Sequence, residues 1–205
     1  MSFANASVRF KYRCDQPINE VDVKNSVTHY HAVQFYKDEG SLAGTVASFL
    51  RDGISAGEPG VVIATPGHTT SILRQLKALG LDTHELRRTG ELQLFDARKM
   101  LSAFMVNGLP DPLMFRSNVG DVIERMCANR RPCPIRAYGE MVDLLWQEGN
   151  ETGAIRLEIL WNHLASTYDF ALLCGYAVGH FYKETRDSRF EEVREQHTHV
   201  VATEA

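Results

Sequence analysis

The sequence predicts an α/β protein in three layers, a mostly parallel sheet with helices on both sides. Three observations carry this reading. From about residue 28, short strand-like runs alternate with runs of helical period, the order that crossover helices impose on a parallel sheet. Several strand-like runs, such as "GVVIAT" and "FALLCGYAV", are apolar almost throughout, as strands covered on both faces are. No internal repeat and no Pro/Gly/Ser-rich linker divides the chain.

The 205 residues, 44% of them hydrophobic and 23% charged, suffice for one sizeable core under an ordinary polar surface. We therefore expect a single domain over residues 28–202, preceded by an arm or irregular segment over 1–27 with a weak strand pattern in "SVRFKY".

"HYHAVQFY", residues 29–36, alternates as a first strand. "SLAGTVASFLRDGISAG" then sets Leu42, Val46, Phe49, Leu50 and Ile54 on one helical stripe, with Ser41 as N-cap and Gly57 as stop. "GVVIAT" reads as a central strand. "TTSILRQLKALG" is a helix with Ile72, Leu73, Leu76 and Leu79 in register, followed by "LDTHELRRTG" and the strand "ELQLFDA". Residues 98–131 read as two helices, "KMLSAFMVNG" and "FRSNVGDVIERMCANR", broken at "GLPDP". "PIRAYGEMVDLLWQEGN" starts as a strand and ends as a helix, with Glu140 at the changeover. "AIRLEILWNHLAS" places Leu157, Leu160, Trp161 and Leu164 on one helical face, "FALLCGYAV" is a strand, and "SRFEEVREQHTHV" closes the chain as a polar helix.

The formal charge, 22 basic less 26 acidic residues, is −4, and there is no long basic run. That argues against a nonspecific grip on nucleic acid or anionic membrane, and for a small molecule or a protein as partner. The N-terminus lacks the apolar core of a signal peptide and no run reaches the roughly 18–20 apolar residues of a membrane span, so a cytoplasmic protein is expected. Cysteines 14, 127, 133 and 174 form no CxxC pair and are read as reduced thiols rather than a disulfide or a zinc site.

Four strand ends carry groups able to bind something: Thr65 to His68, Asp96, Tyr138 with Glu140, and Tyr176 with His180. If the strands run parallel, these groups meet at one rim, where ligands bind in open α/β sheets. Gly67-His68-Thr69 stands where a phosphate-binding loop would carry Gly-Lys-Thr, but counting back puts Val62 at the first glycine and His68 in place of the lysine. Histidine is shorter and mostly neutral near pH 7, so conventional ATP or GTP hydrolysis is disfavoured. Asp96 is either an acidic strand end that could hold Mg²⁺ or the cap of the next helix. Glu140 is either a ligand-facing carboxylate or a helix-start residue favoured by the helix dipole. Arg136 shares a strand face with Tyr138 and calls for a carboxylate, Asp96 or Glu158, as a structural ion-pair partner in preference to anion binding. The eight histidines show no HExxH or Cys/His zinc spacing, and there is no GxSxG elbow; no metal, cofactor or catalytic nucleophile is assigned.

The stretches "HAVQFYKDEGSL", "VASFLRDGISAGEPGVVIAT", "GELQLFDARKML", "RAYGEMVDLLW", "LEILWNHL" and "EQHTHVV" together resemble the MEDS domain, the sensory domain named after methanogen and methylotroph proteins and the regulator DcmR. The resemblance spans about residues 28–202. It implies a fold like the RecA/KaiC ATPase core with its nucleotide motifs degraded, and a role in signalling, where such domains precede kinase or other output modules or occur in regulators and are thought to sense small molecules. By position, His31, Phe35 and Tyr36 match its early motif, Asp96 its acidic strand end, Arg136, Tyr138, Gly139 and Glu140 its central motif, and Trp161 and Asn162 its late motif.

The combined expectation is a stand-alone sensory domain that binds a small ligand at the carboxyl ends of the strands and signals through a separate protein or through self-association. Its ligand-binding residues are expected to be His31, Phe35, Tyr36, His68, Asp96, Arg136, Tyr138, Glu140 and Tyr176, with residues 98–131 as the moving part. The rival is a divergent nucleotide hydrolase using Asp96 for Mg²⁺ and Glu140 to orient water.

Overall fold

A computed structural model describes residues 30–130, 132–177, 179 and 188–201; the "SVRFKY" pattern, His29 and His180 lie outside them. The chain runs β1 (His31–Tyr36), α1 (Glu39–Ser55), β2 (Gly60–Ala64), α2 (Pro66–Ala78), α3 (Thr83–Thr89), β3 (Leu92–Asp96) and α4 (Ala97–Ser102). It continues through a hairpin of β4 (Met105–Val106) and β5 (Leu109–Pro110), then α5 (Pro112–Phe115), a π-helical turn (Arg116–Gly120) and α6 (Asp121–Cys127). The last part is β6 (Ile135–Gly139), α7 (Met141–Gln147), α8 (Glu151–Ala165), β7 (Phe170–Ala177), α9 (Ser188–Glu195) and β8 (His199–Val201).

Six strands form one sheet in the order β3-β2-β6-β7-β1-β8, and every neighbouring pair is parallel. The predicted α/β class with helices on both faces is thus the observed one. Because side chains alternate across a strand, the apolar runs supply two cores. Ala32, Val62, Ala64, Tyr138 and Leu173 face α1, α2 and α3, meeting Leu42, Val46, Leu50, Ile72 and Leu76. Val33, Val61, Ile63, Ala137, Leu172 and Cys174 face the other layer, where α7 and α8 contribute Leu145, Leu157 and Trp161. Trp161 sits edge-on to Phe115, with centroids 5.1 Å apart, which binds the α5 segment to α8.

Several local expectations change. The cap of α1 is Asp38, whose carboxylate accepts from the Ser41 N–H at 2.8 Å; a short acid in extended geometry starts the helix one turn before Ser41. The helix expected from residue 99 ends at Ser102, since Asn107 and Gly108 both adopt left-handed backbone (φ 50° and 78°) and fold 105–110 into a hairpin. The terminal helix stops at Glu195, and His199–Val201 becomes a sheet strand beside β1, its β-branched Val200 and Val201 pairing with Val33 and Gln34.

The thiol expectation is also overturned for one pair. Cys127 ends α6 and the chain doubles back, leaving Cys127 and Cys133 with Cα atoms 5.6 Å apart and joined as a disulfide. Cys174 is a free, buried thiol. Among the described residues no helix is long and apolar enough to cross a membrane.

Candidate functional site

Parallel strands deliver their carboxyl ends to one edge of the sheet, and the turns that leave them there enclose a cleft of about 410 Å³. Tyr36 ends β1, Thr65 follows β2, Glu140 follows β6 and Ala177 ends β7; all four line it.

Glu140 is the centre of this cleft and only 2% exposed. It occupies the N-cap position of α7, yet its side chain makes no capping bond to its own helix. The carboxylate reaches sideways instead. Oε1 accepts the Thr65 N–H at 2.5 Å, while Oε2 meets His68 Nδ1 at 2.5 Å and accepts the Tyr138 hydroxyl at 3.1 Å. One buried acid therefore ties the β2–α2 turn to the β6–α7 turn, and hydrogen bonds satisfy the charge that burial alone would penalise. The hydrogen bond to Glu140 is the chief reason the His68 pKa is raised above its ordinary 6.5; burial opposes it, and the charges of Glu140, Glu39 and Asp143 add to it. Tyr36 presents its ring edge-on to the imidazole, with centroids 5.9 Å apart.

Tyr138 reaches Glu140 by passing over β7 at Gly175. A Cβ on Gly175 would lie 2.8 Å from the Tyr138 hydroxyl, so only glycine leaves the phenol its place.

Three residues further along α7 comes a second buried carboxylate, Asp143. Residues three apart share a helix face. Asp143 accepts from the Tyr36 hydroxyl (3.1 Å), Gln147 Nε2 (2.7 Å) and the Ala177 N–H (3.1 Å), joining β1, β7 and α7. Burial raises its pKa first of all, and these hydrogen bonds work against the rise. Burial, then the Asp143 charge, push the Tyr36 hydroxyl well above its ordinary range.

The cleft is acidic. Asp38, Glu39, Glu140 and Asp143 face Lys37 and Arg98, and Arg98 is paired with Glu148 at 3.0 Å. The protein's own carboxylates occupy two backbone N–H groups here, Asp38 the Ser41 N–H of α1 and Glu140 the Thr65 N–H ahead of α2, while the first turns of α2 and α7 have no side-chain cap.

Of the residues expected to bind, Tyr36, His68 and Glu140 line the cleft, and Tyr138 supports Glu140 from beneath. The others lie elsewhere. Asp96 caps α4 by accepting the Lys99 N–H at 3.0 Å and does not line the cleft. Arg136 stands at the start of β6, so it emerges at the opposite edge. Its partner is neither Asp96 nor Glu158 but Glu58, at 2.6 Å, and its guanidinium lies over the Phe49 ring. Alternation turns Phe35 and Tyr176 to the α8 side, where Tyr176 donates to Glu158 at 2.9 Å and Phe35 packs on Phe190. His31, at the start of β1, is buried beside Cys174 and Asn162. Sequence reasoning missed Asp143 and Gln147; their signal was the three- and four-residue spacing on one helix face, Glu140-Asp143-Gln147.

A family model described as MEDS, MEthanogen/methylotroph, DcmR Sensory domain, matches residues 30–198. No curated protein matches the chain.

Proposed function

The chain belongs to the MEDS family of sensory domains, and from that premise we propose that it senses a small polar molecule, neutral or cationic, in the cleft at the strand ends and signals through a separate regulatory protein. The observation that carries the proposal is the 2.5 Å contact between Glu140 and His68, which closes the cleft between two strand-to-helix turns. A ligand hydroxyl or ammonium that donates to Glu140 Oε2 competes with His68, and the freed imidazole loosens the first turn of α2. Ligand binding biases such a pair of arrangements only through its different affinity for the two. α2, rather than residues 98–131, is then the responding element, because among the described residues of that stretch Arg98 alone lines the cleft.

The charge of the cleft supports the ligand class. Four carboxylates disfavour a nucleotide triphosphate, whose oxygens would meet like charge. The hydrolase reading also loses its metal-holding acid, since Asp96 is occupied as a cap away from the cleft.

Native mass spectrometry of the full-length protein, freshly purified from its host, tests the reading. A retained small molecule in the wild type that is lost from Glu140→Gln is expected, with no thermal shift on adding Mg-ATP. A Mg-ATP shift abolished by Glu140→Gln, or no mass difference between wild type and variant, would overturn it.

A further inference from the structure

On the sheet face covered by α8, away from the cleft, four side chains from distant parts of the chain point at one another. They are His31 in β1, Glu158 in α8, Cys174 in β7 and His197 just ahead of β8. One ligand atom from each lies within 4.8 Å of all the others. All four side chains are essentially excluded from solvent.

Hydrogen bonds outside the cluster set which ring nitrogens face it. Asn162 donates its Nδ2 to the Gln196 carbonyl at 3.0 Å, which turns its Oδ1 to His31 Nδ1 at 2.9 Å. That oxygen can only accept, so His31 Nδ1 carries a hydrogen. The Val193 carbonyl, 2.7 Å from His197 Nδ1, fixes the second ring in the same way. Both Nε2 atoms are thereby left facing inward. His31 Nε2 lies 3.2 Å from Glu158 Oε2, and His197 Nε2 lies 3.4 Å from Glu158 Oε1. His197 Nε2 is buried without a hydrogen-bond partner. In neutral rings these contacts set lone pair against lone pair, an arrangement that a shared cation resolves at once.

We propose that His31, Glu158, Cys174 and His197 form a closed transition-metal site for zinc or a cation of similar preference. Bonds of about 2.0–2.1 Å to nitrogen and oxygen and about 2.3 Å to sulfur, at tetrahedral angles, place neighbouring ligand atoms roughly 3.3–3.7 Å apart. Three ligand atoms already lie close to that spacing, with His31–Glu158 Oε2 at 3.2 Å, His31–Cys174 at 3.4 Å and Cys174–Glu158 Oε2 at 3.5 Å; His197 Nε2 meets the other oxygen, Oε1, at 3.4 Å, and a single ligand atom from each of the four lies within 4.8 Å of the rest. Two neutral imidazoles, a carboxylate and a thiolate balance a divalent ion, with the Cys174 proton released to solvent on binding. The nitrogen and sulfur donors select against calcium and magnesium. Asn162, the Val193 carbonyl and the Tyr176 hydroxyl on Glu158 Oε1 are the outer contacts that orient the ligands. The site fastens the α9–β8 segment to the sheet, because His197 is the ligand that this segment supplies.

The test uses the full-length chain stripped with a chelator and titrated with Co²⁺. The expected result is one cobalt per chain, with the visible bands of tetrahedral cobalt and a thiolate-to-cobalt charge-transfer band, both removed by Zn²⁺. Cys174→Ser loses the charge-transfer band, His197→Gln binds far more weakly, and Asn162→Ala, which keeps all four ligands, weakens binding about 10–100-fold. Asn162→Ala keeps the test decisive if a ligand variant fails to fold. Failure of the wild type to give a thiolate-to-cobalt band, or cobalt spectra unchanged in all three variants, would overturn the proposal and leave a cluster held by protons or adventitious binding at exposed histidines.

Discussion

The carboxylate of Glu140 and the imidazole of His68, 72 residues apart in the chain, meet at 2.5 Å across the space between two strand-to-helix turns. Their contact makes the geometry of the cleft depend on a proton. The folded protein holds the His68 proton more tightly than an unfolded chain, so the pair's contribution to stability is full below about pH 6.5 and is lost as the pH rises through the raised value. Urea unfolding of the wild type and His68→Gln over a pH series should show a stability difference that shrinks on the alkaline side. A difference that grows with pH would contradict the assignment.

Glu140 accepts from three donors, so removing it costs more than removing one of them. Glu140→Ala leaves the Thr65 N–H, His68 and the Tyr138 hydroxyl without their acceptor, and each buried orphan costs about 1–3 kcal/mol. Tyr138→Phe removes a single donor and should cost about 1 kcal/mol. Gly175→Ala should resemble Tyr138→Phe in kind, because the added methyl group displaces the same hydroxyl. A double-mutant cycle between Gly175→Ala and Tyr138→Phe should show a loss smaller than the sum of the two.

Arg136 offers a case in which one substitution changes sign with its background. A Cβ on Gly53 of α1 would lie 2.2 Å from Arg136 Cγ, so Gly53→Ala must evict the side chain that pairs with Glu58. It should cost about 1–3 kcal/mol in the wild type, as overpacking does. In an Arg136→Ala background the obstacle is gone, and alanine's better helix propensity should stabilise α1 by about 1 kcal/mol. Chemical denaturation of the four proteins checks both signs.

The sheet was legible because runs such as "GVVIA" have the composition of strands covered on both faces, and parallel strands put Tyr36, His68 and Glu140 at one edge as read. Alternation says that Phe35 and Tyr36 face opposite ways but not which of them faces which layer, so Phe35 and Tyr176 were assigned to the wrong side of the sheet. Arg136 was misplaced because it stands near the start of a strand, and only the residues at its end reach the cleft. Asp143 reads as a surface polar residue until the helix is seen packed against β1 and β7. No spacing rule links positions 31, 158, 174 and 197; the fold alone assembles them.

The Cys127–Cys133 disulfide makes a prediction that thiol counting settles. Reduction of the denatured protein should raise the number of reactive thiols by two, those of Cys127 and Cys133. In the native, metal-free protein Cys174 should react slowly, because it is buried, and burial and the neighbouring Glu158 carboxylate keep it a thiol. The bond closes a short loop, with a sequence separation of six, so its chain-entropy contribution is about 2 kcal/mol. Cys127→Ala should therefore lower the unfolding free energy by about that amount under oxidising conditions. With a reductant present, the variant and the wild type should have nearly the same stability. A thiol count unchanged by reduction, or equal stabilities without reductant, would show that the two sulfurs are not joined in solution.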